Sequence, residues 1–149
     1  RWLFYGTLGA VVAAATLAIV LVVLPVAAPQ VYGTVSATDG VAVRMLCTVA
    51  VLAFFAAGAG VGIGGLIRSP LGAAGAILLW AYVIESAAGY LPSGTHLQRF
   101  MPLLNGVYAT GQDTVLAPPW GQNTALLFVC ALFTAIFLVA SIERNIRYA

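Results

Sequence analysis

From Trp2 to Ala28 the chain runs for 27 residues without a charge. As a helix rising ~1.5 Å per residue this run would reach roughly 40 Å, beyond the ~30 Å of a bilayer's hydrocarbon core. Such a helix must tilt, kink near Pro25, or leave its Trp2 and Tyr5 end among the lipid headgroups. A first apolar run of this length is also far too long for a signal-peptide core.

Three further runs repeat the pattern. Met45–Ile67 is entered at Arg44, Pro70–Leu91 follows a four-residue turn, and Asn123–Ile142 ends in the charged Glu143-Arg144-Asn145-Ile146-Arg147. With 62% of its residues hydrophobic and only 7% charged, a chain of 149 residues has too little interior to hide its apolar surface from water. The expectation is an all-α polytopic membrane bundle with spans at 2–28, 45–67, 70–91 and 123–142, forming a single transmembrane domain. The chain lacks lysine and carries six arginines against four acids, too sparse for a nucleic-acid footprint. Cys47 and Cys130 sit inside apolar runs and read as small hydrophobes, not as a disulfide or metal pair.

The centre of the pattern is Gly58 to Glu85. Gly58, Gly60, Gly62, Gly64 and Gly65 close one apolar helix, and small residues four apart let helix backbones approach closely in lipid. Ile67-Arg68-Ser69-Pro70 then breaks the chain, because proline disfavours helical geometry in the residue before it and suits the first turn of the next helix. Gly60-Val61-Gly62-Ile63-Gly64-Gly65 formally matches the dinucleotide pattern G-x-G-x-x-G. It lacks the preceding strand of that fold, and close helix packing accounts for it better.

Between the third and fourth spans, residues 95–111 carry apolar residues at Leu97, Phe100, Met101, Leu104, Val107 and Tyr108, the spacing of an amphipathic helix. Thr95-His96-Leu97-Gln98 fits a capping box, Gly111 a stop, and Pro102 a bend or break between them. One or two short helices lying on the membrane or dipping into it are expected, with an ordinary surface loop as the alternative. Val31–Val43 is a polar connection with Gly33, Asp39 and Gly40 as turn residues.

Glu85 is the sole ionisable residue within a predicted span. At helical spacing it shares a face with Ala74, Leu78, Ala81 and Tyr82. It is either a lining residue of a translocation path or a structural carboxylate bonded to a neighbouring helix or to the N-terminus of a surface helix, and Arg99 is the candidate partner by depth. His96 has no Cys, Asp or Glu at metal-ligand spacing. No triad, H-E-x-x-H, Walker motif or carboxylate pair is present, so neither catalysis nor a cofactor is expected of this chain. With Arg1 on the cytoplasmic side, Arg68, Arg144 and Arg147 join it, while Arg44 and Arg99 lie outside. The positive-inside rule favours this orientation, with both ends cytoplasmic.

A glycine-rich helix end running into GLIRSP, a span carrying LLWAYVIE, then LP and RFMPLLNGVYATG, resembles the membrane (permease) subunit of ABC-2 type ABC transporters. The match covers about Ala57 to Gly111, and the flanking spans agree in hydropathy and position. The resemblance implies six spans with both ends in the cytoplasm of a bacterial cell. This chain, starting at Arg1 without a methionine, would hold the last four. It further implies a second permease subunit and a separate ATP-binding cassette subunit that binds ATP and Mg and drives movement of drugs, lipids or glycolipid-like molecules. The family's first two spans and the cytoplasmic helix between them are missing here. Arg68, Ser69, Arg144 and Arg147 are therefore the remaining inner-face candidates for contact with the ATPase. A non-transporting four-span scaffold and an intramembrane enzyme using Glu85 are the alternatives.

Overall fold

A computed structural model describes the chain except residues 33–35, 37, 68, 89, 92–95, 98, 113, 115–117 and 149, with backbone alone at 32, 70, 147 and 148. The described residues form helices and no strands. In order these are α1 (Trp2–Ala27), α2 (Pro29–Tyr32), α3 (Gly40–Ile67), α4 (Pro70–Leu78), a π-helical segment (Leu79–Ile84), α5 (Glu85–Ala88), α6 (Pro102–Ala109) and α7 (Gln122–Tyr148). α1, α3, the α4–α5 run and α7 are each long and apolar enough to cross a membrane. Among the described residues this is an all-helical bundle with four helices long and apolar enough to span a membrane, the make-up of an integral membrane protein.

Its core is thin and made of small side chains. Among the described residues, seven of the nine buried apolar positions are alanine, so the backbones come close and large side chains point outward. Leu3, Phe4, Val11, Val12 and Ile19 of α1 are all more than half exposed. In water this surface would be untenable; against lipid tails it is ordinary.

α1 runs antiparallel to α3. A Cβ on Gly6 would lie 2.7 Å from the Phe54 ring, and one on Gly9 3.6 Å from the Ala53 carbonyl oxygen. The Trp2 indole N–H donates to the Phe54 carbonyl at 3.2 Å. α7 runs parallel to α3, with Gly62 against Phe137 and Ala140, and Gly65 against Arg144. α4 folds back antiparallel beside α3, where Gly60 meets Ile77 and Gly64 meets Ala73. The glycine series therefore serves two faces. Gly58 and Gly62 are buried beneath Trp2 and α7, while Gly60 and Gly64 face the third span.

Helix boundaries move by physical causes. α3 starts at Gly40, not Met45, because the Asp39 carbonyl accepts the Val43 N–H at 2.9 Å and sets the first turn before the apolar run begins. α1 carries Pro25 inside its last turn, and a short second helix follows from Pro29. The last span continues through the charged residues to Tyr148, since Glu143 and Arg144 are good helix formers and need only leave the apolar layer. Ser69 caps α4 by accepting the Gly72 N–H at 3.1 Å, with Pro70 in the first turn.

Candidate functional site

α3 and the third span are held together near their connecting turn by Gly60 and Gly64, and they separate toward the other end. There a cavity of about 880 Å³ opens between α3, the third span, α6 and α7. Leu52 and Ala56 line one wall, Trp80 and Ala81 a second, Leu103 and Val107 a third, and Leu132 and Phe133 the last. Among the described residues lining it, Glu85 is the sole ionisable one, with Thr110 and Gln112 as further polar groups.

The backbone just before Glu85 explains how a carboxylate comes to lie there. Leu79–Ile84 is π-helical, and the Glu85 N–H reaches back five residues to the Trp80 carbonyl. In a regular α-helix residues five apart stand roughly 140° apart around the axis. The wider π-turn brings them to one side, and the Trp80 indole N–H donates to Glu85 Oε1 at 3.0 Å. This overturns the expected face. Ala81 does share the cavity wall with Glu85, but Tyr82 is 70% exposed and Leu78 55%, whereas Glu85 is 4% exposed. A 3.6-residue period does not apply across a π-turn.

The other partner of Glu85 is the N-terminus of α6. The Leu103 backbone N–H donates to Oε1 at 3.1 Å and to Oε2 at 2.9 Å. Pro102 occupies the first helical position and has no N–H, so Leu103 offers the first free donor, and the helix dipole favours an anion there. Of the two expectations for Glu85, the structural one describes its bonds, and its place in the cavity wall keeps the other open. Arg99 is not its partner. The Arg99 carbonyl instead accepts from Asn105, and Arg99 Nε is buried without a hydrogen-bond partner.

The segment carrying α6 is broken before Pro102. His96 and Leu97 are helical, a turn follows at Arg99 and Phe100, and Pro102 starts a new helix, so the proline breaks the segment. Thr95 and Gln98 of the expected capping box lie outside the described residues. Gly111, with φ of 95°, takes the left-handed conformation that ends the helix. The buried face of α6 is Asn105 and Ala109, while Leu97, Phe100 and Val107 stay exposed. Asn105 is fully buried because its amide fits three partners. Its Nδ2 donates to the Arg99 carbonyl at 2.8 Å and to that of Met101 at 2.9 Å, and its Oδ1 accepts the Trp120 indole N–H at 2.8 Å. Trp120 in turn packs against Phe100 and Phe128.

Arg44 fastens the far end of α6. Its guanidinium donates twice to the Ala109 carbonyl at 3.3 Å and once to Asn123 Oδ1 at 2.9 Å. A cation at a helix C-terminus is favoured, and here it ties α3, α6 and α7 together. Asn105 and Arg44 were not singled out in the sequence as site residues. An asparagine three residues after a proline in an apolar segment was the available signal.

At the opposite end of the bundle, Arg1, Trp2, Gly65, Ser141 and Arg144 line a smaller cleft of about 200 Å³. Arg144 thus lies at the same end as the turn between α3 and α4. Arg68 lies outside the described residues, and Arg147 is described by its backbone alone. Cys47 is exposed and Cys130 buried, both as free thiols.

No protein-family pattern, curated protein or solved structure matches this chain.

Proposed function

We propose that the chain is part of the membrane subunit of an ATP-driven transporter of the ABC-2 type, moving a hydrophobic or amphiphilic molecule across a bacterial cytoplasmic membrane. A separate ATP-binding cassette subunit binds ATP and Mg and hydrolyses the nucleotide, a second permease subunit completes the assembly, and this chain carries no catalytic step. The observation that carries the reading is the 880 Å³ cavity between spans, apolar but for Glu85, Thr110 and Gln112. Transport needs an intramembrane space whose walls rearrange, and the walls here are suited to that. The third span meets α3 where Gly60 faces Ile77 and Gly64 faces Ala73, with room for an added Cβ at either glycine, and Glu85 joins it to α6. A partner that binds two arrangements unequally would shift the population between them.

Ser69 serves as a helix cap and Arg144 lines the small cleft, which leaves the α3–α4 turn and the end of α7 as the surfaces offered to the ATPase. The scaffold reading depends on glycine faces left free for partners. Gly58 and Gly62 are used within the chain, against Trp2 and α7, which favours the transporter.

Purification from native membranes in mild detergent tests the proposal. The expected result is a stoichiometric co-eluting subunit with Walker motifs, whose ATP hydrolysis rises when an apolar amphiphile is added. A pure complex without any ATPase at any salt concentration would overturn it.

A further inference from the structure

We infer that the cavity recognises a hydrophobic cation, with the Glu85 carboxylate as its counter-charge and the indole of Trp80 beside it. The inference rests on reading this cavity as the substrate site and adds the charge of the substrate. At about 880 Å³ the space falls within the ~300–1,000 Å³ typical of sites for drug-sized molecules.

Among the described residues its walls hold one acidic group and no basic one. The bonds made by Glu85 come from neutral donors, the Trp80 indole and the Leu103 amide, so among the described residues no cation bonds its carboxylate. Arg44, at the same end of the bundle, is committed to Ala109 and Asn123, and Arg99 makes no bond to the carboxylate. Neutral N–H groups orient and solvate a carboxylate but leave its net charge in place. An ionised group held out of water without a counter-charge is costly, and a cationic ligand removes that cost.

Geometry leaves room for it. A carboxylate has about four acceptor positions, and Glu85 uses two on Oε1 and one on Oε2. Trp80 and Phe133, both in the wall, present aromatic rings that attract a desolvated cation. The remaining apolar wall suits the body of the molecule. An anion of the same shape would be repelled by the field that draws the cation, and a neutral molecule would gain burial alone.

Tetraphenylphosphonium and tetraphenylborate have nearly the same shape and opposite charge. Each is to be measured alone, by equilibrium dialysis against the complex purified from native membranes. The expected result is saturable binding of tetraphenylphosphonium and none of tetraphenylborate. Glu85→Gln, which keeps an acceptor for the Leu103 N–H, should weaken phosphonium binding on the order of 30-fold. Equal binding of the two ions, or unchanged binding by Glu85→Gln, would overturn the inference and leave a cavity that selects apolar shape only. Should the variant not fold, the two ions on the unaltered protein decide the matter. Cation binding without a co-purifying ATPase would sink the transporter and keep the site. An ATPase without charge selectivity would do the reverse.

Discussion

Glu85 joins two elements through one side chain, so different replacements should separate its structural and electrostatic roles. Glu85→Ala removes the acceptor for both the Trp80 indole and the Leu103 amide, leaving two donors of a buried junction unpaired. The expected loss is about 2 kcal/mol, read as a lower thermal midpoint of the purified protein in detergent, and Glu85→Gln should recover most of it. Asn105 is the more demanding position because its amide is used at both ends. Asn105→Ala should cost about 3 kcal/mol by orphaning the Arg99 carbonyl and the Trp120 N–H, while the Met101 carbonyl keeps the backbone N–H of residue 105 at 3.2 Å. Asn105→Asp should do no better, since a second acceptor oxygen would then face the carbonyls of Arg99 and Met101. A midpoint unchanged by either Asn105 substitution would show that the Asn105 amide does not hold α6 in place.

At the scale of the helix, two glycines of one series should answer oppositely. A Cβ on Gly62 would lie 3.1 Å from both the Phe137 Cα and the Ala140 Cβ, whereas one on Gly60 would meet only the Ile77 Cδ1 at 3.9 Å. Gly62→Val should therefore push α3 from α7 and cost about 1–3 kcal/mol, and Gly60→Ala should be neutral or slightly stabilising. Thermal unfolding in detergent distinguishes them, and equal effects would contradict the two-faced packing. The four apolar runs and the turn at Ser69-Pro70 were legible in the sequence because length, hydropathy and proline act locally. The contact between Trp80 and Glu85 was not, because a π-turn breaks the period on which faces are assigned. The buried face of α6 was also hidden. It is chosen by what Asn105 bonds to, in Trp120 fifteen residues away, and not by the spacing of Leu104, Val107 and Tyr108.

At the scale of the whole molecule, the helix directions sort the charges by end. α1 is antiparallel to α3 and α7 parallel to it, which gathers Arg1, Gly65 and Arg144 around the small cleft. Arg44 lies at the other end with Ala109, Asn123 and α6, its guanidinium bonded to a carbonyl and an amide. The end of α7 adds the backbone of Arg147 to the first end. Among the described residues three arginines thus belong to one end, and Arg44 and Arg99 to the other, so the positive-inside rule predicts a cytoplasmic first end. Neither free thiol interferes once Cys47 and Cys130 are replaced by alanine, and single cysteines can then report the side of each end. Asn145 and Ser36 are exposed at opposite ends. In intact cells a membrane-impermeant maleimide should label Ser36→Cys and spare Asn145→Cys until the membrane is permeabilised. The reverse pattern would place α6 and the Glu85 end of the cavity on the cytoplasmic side. The α3–α4 turn would then face away from ATP, and its assignment as a surface for the ATPase would fail.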